Sequence, residues 1–222
     1  PTFDFAFNFK EGLASVKVDT KWGFIDTKGN WVIYPIFDSV SDFSEGLARV
    51  EINNKWGFID TKGTVVINPI FKDVLDFSEG LSRVEVDNKW GFIDTKGNWV
   101  IYPKFSVSDI YYDSSSNKNN YYTSYFLEGL AKIRLNEKYG FIDKTGNFVI
   151  QPIFDSVTSF KNGLCRVMIN NKWGYIDKKG NWVIQPIFDK IDEFQNGLAA
   201  VKINDIHGYI DIKGNIVIKV KD

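Results

Sequence analysis

The sequence predicts an all-β protein built from six tandem repeats. The segment Lys-Trp-Gly-Phe-Ile-Asp and its close variants occur six times along the chain. Between these segments lie short runs of β-branched and aromatic residues bounded by turn residues, a pattern typical of short strands. No stretch has the apolar period of about 3.6 residues that marks an amphipathic helix. Self-similarity at a fixed period indicates a repeat architecture, so we expect an array of short antiparallel strands.

The glycines of the recurring segment give the length of the repeat. They are spaced 34 residues apart except for one interval of 49, so the fourth repeat carries a 15-residue insertion. A single repeat domain is therefore predicted over residues 1–222, with the insertion near residues 109–124. The predicted repeats cover residues 3–36, 37–70, 71–104, 105–153, 154–187 and 188–222.

Each repeat is expected to contain three or four strands joined by tight turns. In the second repeat, residues 47–52 and 55–60 have strand composition. The pair Asn53-Asn54 between them favours the positive φ of a two-residue hairpin turn. The following Thr-Lys-Gly, residues 61–63, predicts a three-residue hairpin whose glycine takes the left-handed position.

The ends of the repeat carry a third strand and a shorter fourth one. Residues 64–68 are predicted to form the third strand, and Pro69 is expected to end it because proline cannot donate to a ladder. Residues 37–44 predict the short fourth strand, with Glu45-Gly46 as its turn.

The hairpin register predicts which side chains share a face. A three-residue loop places Phe24 opposite Val32 and Trp22 opposite Tyr34. The missing side chain of Gly23 is expected to leave room for a neighbouring ring over the backbone. Both faces then carry large apolar groups. The sheets are therefore expected to stack on one another.

These residues resemble the tandem WG repeat, also called the KWG repeat, of bacterial proteins. The resemblance rests on K-W-G-F-I-D, on the D-x-K-G-x turn, and on V-I-x-P-x-F and E-G-L-A-x-V. It covers almost the whole chain, with Tyr139 and His207 in place of Trp and with Asn162 and Asn196 in place of Glu. The resemblance implies an all-β array and a binding or scaffold role. The structural motif positions are Trp22, Gly23, Trp56, Gly57, Trp90, Gly91, Tyr139, Gly140, Trp173, Gly174, His207 and Gly208.

Two architectures fit six all-β repeats: an open, solenoid-like array of stacked hairpins, and a closed six-bladed propeller. The first repeat starts near the beginning of the repeat pattern, and the last repeat stops near its end. Propellers often close with a strand from the opposite terminus, which would show as an offset between the first and the last repeat. A 34-residue unit is also short for a four-stranded blade. We therefore favour the open array, with the propeller as the alternative.

Composition excludes several classes of partner. Lys and Arg number 27 and Asp and Glu 28, for a net charge of −1, so nucleic acid is not expected as a partner. No apolar run approaches the roughly 20 residues of a membrane span, so membrane insertion is not expected. With one Cys and one His, neither a metal site nor a cofactor is expected. The chain starts with Pro1, which favours an exported or cell-envelope protein, with the cytoplasm as the alternative.

The insertion supplies the candidate contact residues. Residues 109–124 are rich in Tyr, Ser and Asn, the composition of adaptable binding loops, and a tolerated excursion without a function is the alternative. We expect a protein partner to contact Tyr111, Tyr112, Tyr121, Tyr122 and Tyr125.

Other recurring residues have both a binding and a structural interpretation. The aspartate that ends each recurring segment is an oxygen ligand suited to Ca²⁺, but a lysine follows it, which favours a role in the turn. The recurring tryptophans could stack sugars, yet the adjoining glycine favours packing. Arg49 is expected to lie over a motif ring and to pair with Glu51. His207 is expected to pack like tryptophan, and Cys165 to be a small buried residue.

No catalytic constellation is recognisable in the sequence. We therefore expect a non-catalytic module that binds another macromolecule, by protein–protein interaction or as a scaffold. A carbohydrate-binding module that uses exposed aromatic rings is the first alternative, and an enzyme built on a propeller is the second.

Overall fold

The computed structural model describes residues 2–106 and 126–220. These residues form strands and turns and contain no helix, hence none that could cross a membrane. The chain divides into two compact units, Pro1–Val107 and Ser108–Asp222.

The strands follow one another in a repeating order in each unit. Those of the first unit are β1 (Phe5–Ala6), β2 (Leu13–Val18), β3 (Lys21–Asp26), β4 (Trp31–Phe37), β5 (Ser39–Val40), β6 (Leu47–Ile52), β7 (Lys55–Asp60), β8 (Val65–Phe71), β9 (Asp73–Val74), β10 (Leu81–Val86), β11 (Lys89–Asp94) and β12 (Trp99–Ser106). Those of the second are β13 (Ala131–Leu135), β14 (Lys138–Ile142), β15 (Phe148–Phe154), β16 (Ser156–Val157), β17 (Leu164–Ile169), β18 (Lys172–Asp177), β19 (Trp182–Phe188), β20 (Lys190–Ile191), β21 (Leu198–Ile203), β22 (Ile206–Asp211) and β23 (Ile216–Val220).

Six small antiparallel sheets lie in tandem, and none closes into a barrel. Each consists of consecutive strands in sequence order: β1–β4, β5–β8, β9–β12, β13–β15, β16–β19 and β20–β23. In the described parts of the chain the fourth sheet has three strands and the others have four. The predicted all-β tandem array is confirmed.

The turns follow the predicted chemistry. Asn53 and Asn54 have φ of 53° and 60°, and Glu45 and Gly46 have φ of 54° and 79°. In the three-residue loop the N–H of Gly63, at φ 84°, donates to the carbonyl of Asp60 (3.0 Å). Asparagine and glycine adopt left-handed positions more readily than other residues, and Glu45 adopts one next to Gly46, so these turn residues fix where each hairpin reverses.

The register of the second hairpin differs from the prediction. The expected partners of Phe24 and Trp22 were Val32 and Tyr34. Instead the ladder shifts twice, and the observed pairs are Ile25 with Trp31, Phe24 with Ile33, and Trp22 with Phe37.

The shift is a β-bulge caused by close approach of the backbone to Gly23. A Cβ atom at Gly23 would lie 2.5 Å from the carbonyl oxygen of Ile33 and 2.8 Å from the nitrogen of Pro35. The room left by the glycine is therefore filled by main chain of β4 and not by the ring that we expected. The extra residues of β4 arch over the glycine, as bulges do in antiparallel pairs.

Proline does not end the third strand of the repeat. β8 runs from Val65 to Phe71 through Pro69, and Phe71 pairs with Trp56. The expected end at Pro69 is wrong because β8 is the edge strand of its sheet, where a residue without an N–H is tolerated.

The core forms between successive sheets of the same unit. In the first unit, Phe58 and Phe71 of the second sheet pack in one cluster with Val84 and Ile93 of the third. The second unit repeats the arrangement in the cluster that joins its last two sheets. Successive sheets of one unit thus bury apolar side chains against each other, which removes from water groups that a single sheet cannot cover by itself.

A polar contact of one kind also joins successive repeats. The glutamate of one Glu-Gly turn accepts a hydrogen bond from the glycine N–H of the next turn along the chain. This contact, called the glutamate staple below, is formed by Glu11 with Gly46 (2.9 Å), Glu45 with Gly80 (2.9 Å) and Glu128 with Gly163 (2.8 Å).

Candidate functional site

On β4, β8, β12, β15 and β19, called the outer strands here, exposed side chains alternate with buried or half-buried ones from the second residue of the strand to its phenylalanine. On β4, Ile33 and Phe37 point into the core, while Val32, Tyr34 and Ile36 are exposed. A strand that buries one face normally places polar residues on the other. The outer strands place apolar residues on both.

The recurring apolar residues at exposed positions of the outer strands form a set, called the apolar row. Tyr34 is 68% exposed, Ile70 63% and Tyr102 72%. The row consists of Val32, Tyr34, Ile36, Val66, Ile70, Val100 and Tyr102 in the first unit and of Val149, Ile153, Val183 and Ile187 in the second. Asn and Gln occupy most of the intervening exposed positions, and Lys104 is the single charged one on β4, β8, β12, β15 and β19.

Two tyrosines of the row are held by tryptophans of their own strands. The ring of Tyr34 stacks on Trp31 with centroids 5.8 Å apart and planes 23° apart. Tyr102 stacks on Trp99 in the same way, at 6.0 Å and 24°. One ring face is thereby fixed, so little conformational entropy remains to be lost when a partner covers the other face.

Three of the recurring tryptophans lie at interfaces between repeats of the same unit. Trp22, Trp56 and Trp173 are half-buried against the core clusters, and Trp90 is buried. His207 differs from this expectation because its side chain is exposed. In the part of the chain that the structure describes, no seventh sheet follows to cover it.

The arginines over these rings connect neighbouring repeats. The guanidinium of Arg49 lies 5.6 Å from the ring centroid of Trp56, in agreement with the cation–π expectation, and that of Arg83 lies 3.8 Å from the ring centroid of Trp90. Arg49 donates to Asp76 (2.5 Å) and to the carbonyl of Val74 (3.0 Å), both in the next repeat. The expected pairing with Glu51 is wrong, because the side chain extends across the interface and not along its own strand.

The recurring aspartates bind the turn that follows them. Oδ1 of Asp26 accepts hydrogen bonds from the N–H groups of Lys28 and Asn30, both at 2.9 Å. The bond from the Asn30 N–H is the main reason that the pKa of Asp26 lies below its usual value. The pKa is lowered at all six positions: Asp26, Asp60, Asp94, Asp143, Asp177 and Asp211. Within residues 2–106 and 126–220, no cluster of three or more His, Cys, Asp or Glu is placed to hold a metal ion.

Cys165 is a buried thiol in the core between the fourth and fifth sheets. Its Sγ donates to the carbonyl of Thr158 (3.2 Å), and burial raises its pKa to about 12. Ser82, at the equivalent position of the third repeat, makes the matching bond to Leu75 (2.6 Å). A group that remains a thiol at neutral pH is a poor nucleophile, so Cys165 acts as a small core residue.

The insertion near residues 109–124 lies outside the described residues. The contacts predicted for Tyr111, Tyr112, Tyr121, Tyr122 and Tyr125 therefore remain predictions of the sequence.

Comparison with known proteins identifies the family. A family model described as WG containing repeat matches six segments, residues 1–22, 22–56, 56–90, 90–111, 139–173 and 173–205. The chain belongs to the WG repeat family. No curated protein matches it by sequence.

Several solved structures resemble the WG repeat chain at low sequence identity. A crystal structure of a eukaryotic initiation factor has a TM-score of 0.57 at 13% identity, covering 93% of this chain and 62% of that one. This chain thus spans less than two thirds of that protein, and the likeness concerns the fold alone. The Kluyveromyces lactis protein Hsv2p has a TM-score of 0.46 at 10% identity, covering 96% and 75%. A Bacteroides caccae protein of unknown function has 0.34 at 14%, covering 91% and 90%.

Two features of the WG repeats were missed by the sequence analysis. The apolar row was missed because the predicted register of the second hairpin contained no bulge and paired Tyr34 with Trp22. The glutamate staple was missed because its partners lie 35 residues apart. The recurrence of Glu-Gly one repeat length apart was the available signal.

Proposed function

We propose that this WG repeat chain is a non-catalytic module that binds another protein through the apolar row. The observation that carries the proposal is the exposure of Tyr34, Ile36, Ile70 and Tyr102 on successive outer strands. Exposed apolar and aromatic groups with few charges among them are typical of the centre of a protein interface. The net charge of −1 supports a protein partner over a polyanion.

The proposal is tested by placing charge in the row. Ile36→Glu together with Ile70→Glu should abolish capture of the partner by affinity purification from the source organism, because a carboxylate cannot be buried unpaired at an interface. Both side chains are exposed, so the thermal midpoint should stay within a few degrees of that of the unmodified protein.

The matched control is Lys62→Glu, an exposed residue of a hairpin loop outside the row. It should recover the same proteins as the unmodified chain. Recovery of the same proteins by the double variant would contradict the proposal. A double variant that differs only in losing self-association on light scattering would identify the partner as a second copy of this chain and would also contradict it.

Carbohydrate binding is the second candidate, and the stacked Trp-Tyr pairs favour it. Tyr34 and Tyr102 each present a free ring face, the type of platform on which sugars stack. A glycan array separates the two candidates. Hits that disappear with Tyr102→Ala would support carbohydrate binding, and an array without hits would dismiss it.

A further inference from the structure

The glutamate staple is absent from the interface between the fifth and sixth repeats. The residue equivalent to Glu11, Glu45 and Glu128 is Asn162, one methylene shorter and uncharged. The N–H equivalent to the three stapled glycines belongs to Gly197. In the described residues no acceptor for that N–H is present, whereas three other interfaces supply a carboxylate at 2.8–2.9 Å.

A second substitution accompanies the first. At the preceding interface, Lys178 of the fifth repeat donates to the carbonyl of Glu128 (3.0 Å) and lies 3.9 Å from its carboxylate. The residue equivalent to Lys178 in the sixth repeat is Ile212. The two charged side chains of the preceding interface, Glu128 and Lys178, are thus replaced by the shorter amide of Asn162 and the aliphatic side chain of Ile212.

A pocket of about 340 Å³ lies at this place, with both Asn162 and Gly197 in its lining. Its apolar part is formed by Leu164, Phe194 and Ile212. Leu164 and Phe194 belong to the packing of the core cluster between the two repeats. The volume lies at the small end of the range for ligand pockets, which begins at about 300 Å³.

The charged residues of the pocket lining are one lysine and one glutamate, Lys161 and Glu193, so the groups that can receive an anion are the Lys161 ammonium and the Gly197 N–H. Lys161 lies at the pocket and pairs with Glu193 (3.0 Å), with both side chains largely exposed. An exposed pair of this kind is weak, so the ammonium group can turn to a second carboxylate. Tyr175 also lines the pocket, and its hydroxyl is already committed as donor to the carbonyl of Asp192 (2.7 Å).

We propose that this pocket binds a small carboxylate with an aliphatic or aromatic body. The ligand carboxylate accepts the hydrogen bond of the Gly197 N–H, in the place that glutamate holds at the other interfaces, and the apolar body packs on Leu164, Phe194 and Ile212. The same chemistry exists in a free amphipathic acid and in the C-terminal residue of a peptide. The site uses no residue of the apolar row, so it stands apart from the protein-binding proposal.

The test is a nuclear magnetic resonance titration of the full ¹⁵N-labelled chain. With 4-phenylbutyrate, the Gly197 amide proton should move downfield and saturate, because a carboxylate is a strong acceptor. The neutral 4-phenylbutyramide should bind at least about tenfold more weakly, since it lacks the charge. A tripeptide ending in phenylalanine, compared with its C-terminal amide, forms the second arm. Saturation by 4-phenylbutyrate alone would identify the ligand as a free amphipathic acid, and saturation by the tripeptide alone would identify it as a peptide C-terminus.

A substitution provides an independent check. Asn162→Glu restores the missing staple, so it should move the Gly197 proton downfield without ligand, abolish the response to 4-phenylbutyrate, and leave the thermal midpoint unchanged or higher. Asn171→Glu is the matched control. It makes the same substitution at a positive φ of 59°, outside the pocket, where the fourth repeat carries Glu137. This variant should bind like the unmodified chain.

Three results would overturn the proposal. They are a Gly197 proton that none of the carboxylates moves, equal affinity for the acid and its amide, and full binding by a folded Asn162→Glu variant. The unmodified chain and the paired ligands decide the first two without any variant, so the outcome does not depend on the folding of a mutant.

Discussion

The glycine of each Trp-Gly pair is required because main-chain atoms leave no space for a Cβ atom. The turn glycines are required because their φ is positive. At Gly57 an added Cβ would meet the carbonyl oxygen of Ile67 and would lie 2.6 Å from the nitrogen of Pro69. Both are main-chain atoms of the neighbouring strand, so neither can rotate away. At Gly12 the same Cβ would meet no atom within 4 Å, but φ is +83°.

This difference predicts unequal costs for two Gly→Ala substitutions. Gly57→Ala should lower the free energy of unfolding by about 3 kcal/mol or more, since the outer strand must move. Gly12→Ala should lower it by about 1–2 kcal/mol, the cost of a left-handed alanine. Urea denaturation followed by tryptophan fluorescence gives both values. Equal losses would mean that the bulge relaxes around the new methyl group.

The sequence predicts the structural role of a residue better when that role depends on its neighbours in the chain than when it depends on a distant strand. Asn53 and Gly63 reveal their turns because positive φ is a property of the residue and its neighbours. The bulge over Gly23 depends on a carbonyl ten residues further along the chain, and strand composition carries no information about it. The exposure of Tyr34 follows from that bulge, so the sequence did not predict it either.

At the scale of the element, the glutamate staple joins turns of successive repeats. Glu45→Ala removes the acceptor of the Gly80 N–H and should lower the free energy of unfolding by about 1 kcal/mol, the usual net value of one hydrogen bond. Glu137→Ala is the matched control, because Glu137 is also at positive φ (65°, against 54° for Glu45) and is exposed. It should change stability by less than half as much. A similar loss in both variants would show that backbone conformation, and not the staple, sets the cost.

The turn aspartates predict the pH dependence of stability. Their pKa values lie below the usual 3.8 because turn N–H groups and side chains donate to the carboxylates, led by Asn30 at Asp26 and by Thr64 at Asp60. The unfolded chain therefore takes up protons at a higher pH than the folded chain does. The stabilisation from these groups is complete above pH 3.8 and is lost as the pH falls through the lower pKa values of the folded state.

The thermal midpoint should accordingly be nearly constant from pH 7 to about pH 5 and should fall steeply below about pH 4. Asp42 and Asp73 act in the opposite direction, because burial raises their pKa values, but they are two groups against the six turn aspartates. Calorimetry across this range measures the effect. A midpoint that rises on acidification below pH 4 would contradict the assignment of the turn hydrogen bonds.

At the scale of the whole molecule, most of the described core lies between successive sheets of the same unit. Phe58 of the second sheet and Val84 and Ile93 of the third are almost wholly buried in one cluster. A lone sheet would expose half of each such cluster, and a chain of about 35 residues without disulfides or metal rarely buries enough apolar surface to offset the entropy of folding. Neighbouring repeats should therefore be needed for any one of them to fold.

A series of fragments tests this dependence. Residues 37–71, a single sheet, should be unfolded in water, with a narrow amide proton spectrum and no cooperative thermal transition. Residues 2–106, which contain three sheets and the two clusters between them, should fold cooperatively because the middle sheet is covered on both sides. Residues 37–104 should fall between the two, with a lower midpoint than the three-sheet fragment. A dispersed spectrum for residues 37–71 alone would show that one repeat satisfies its own apolar surface, and stacking would then no longer explain why the repeats occur in tandem.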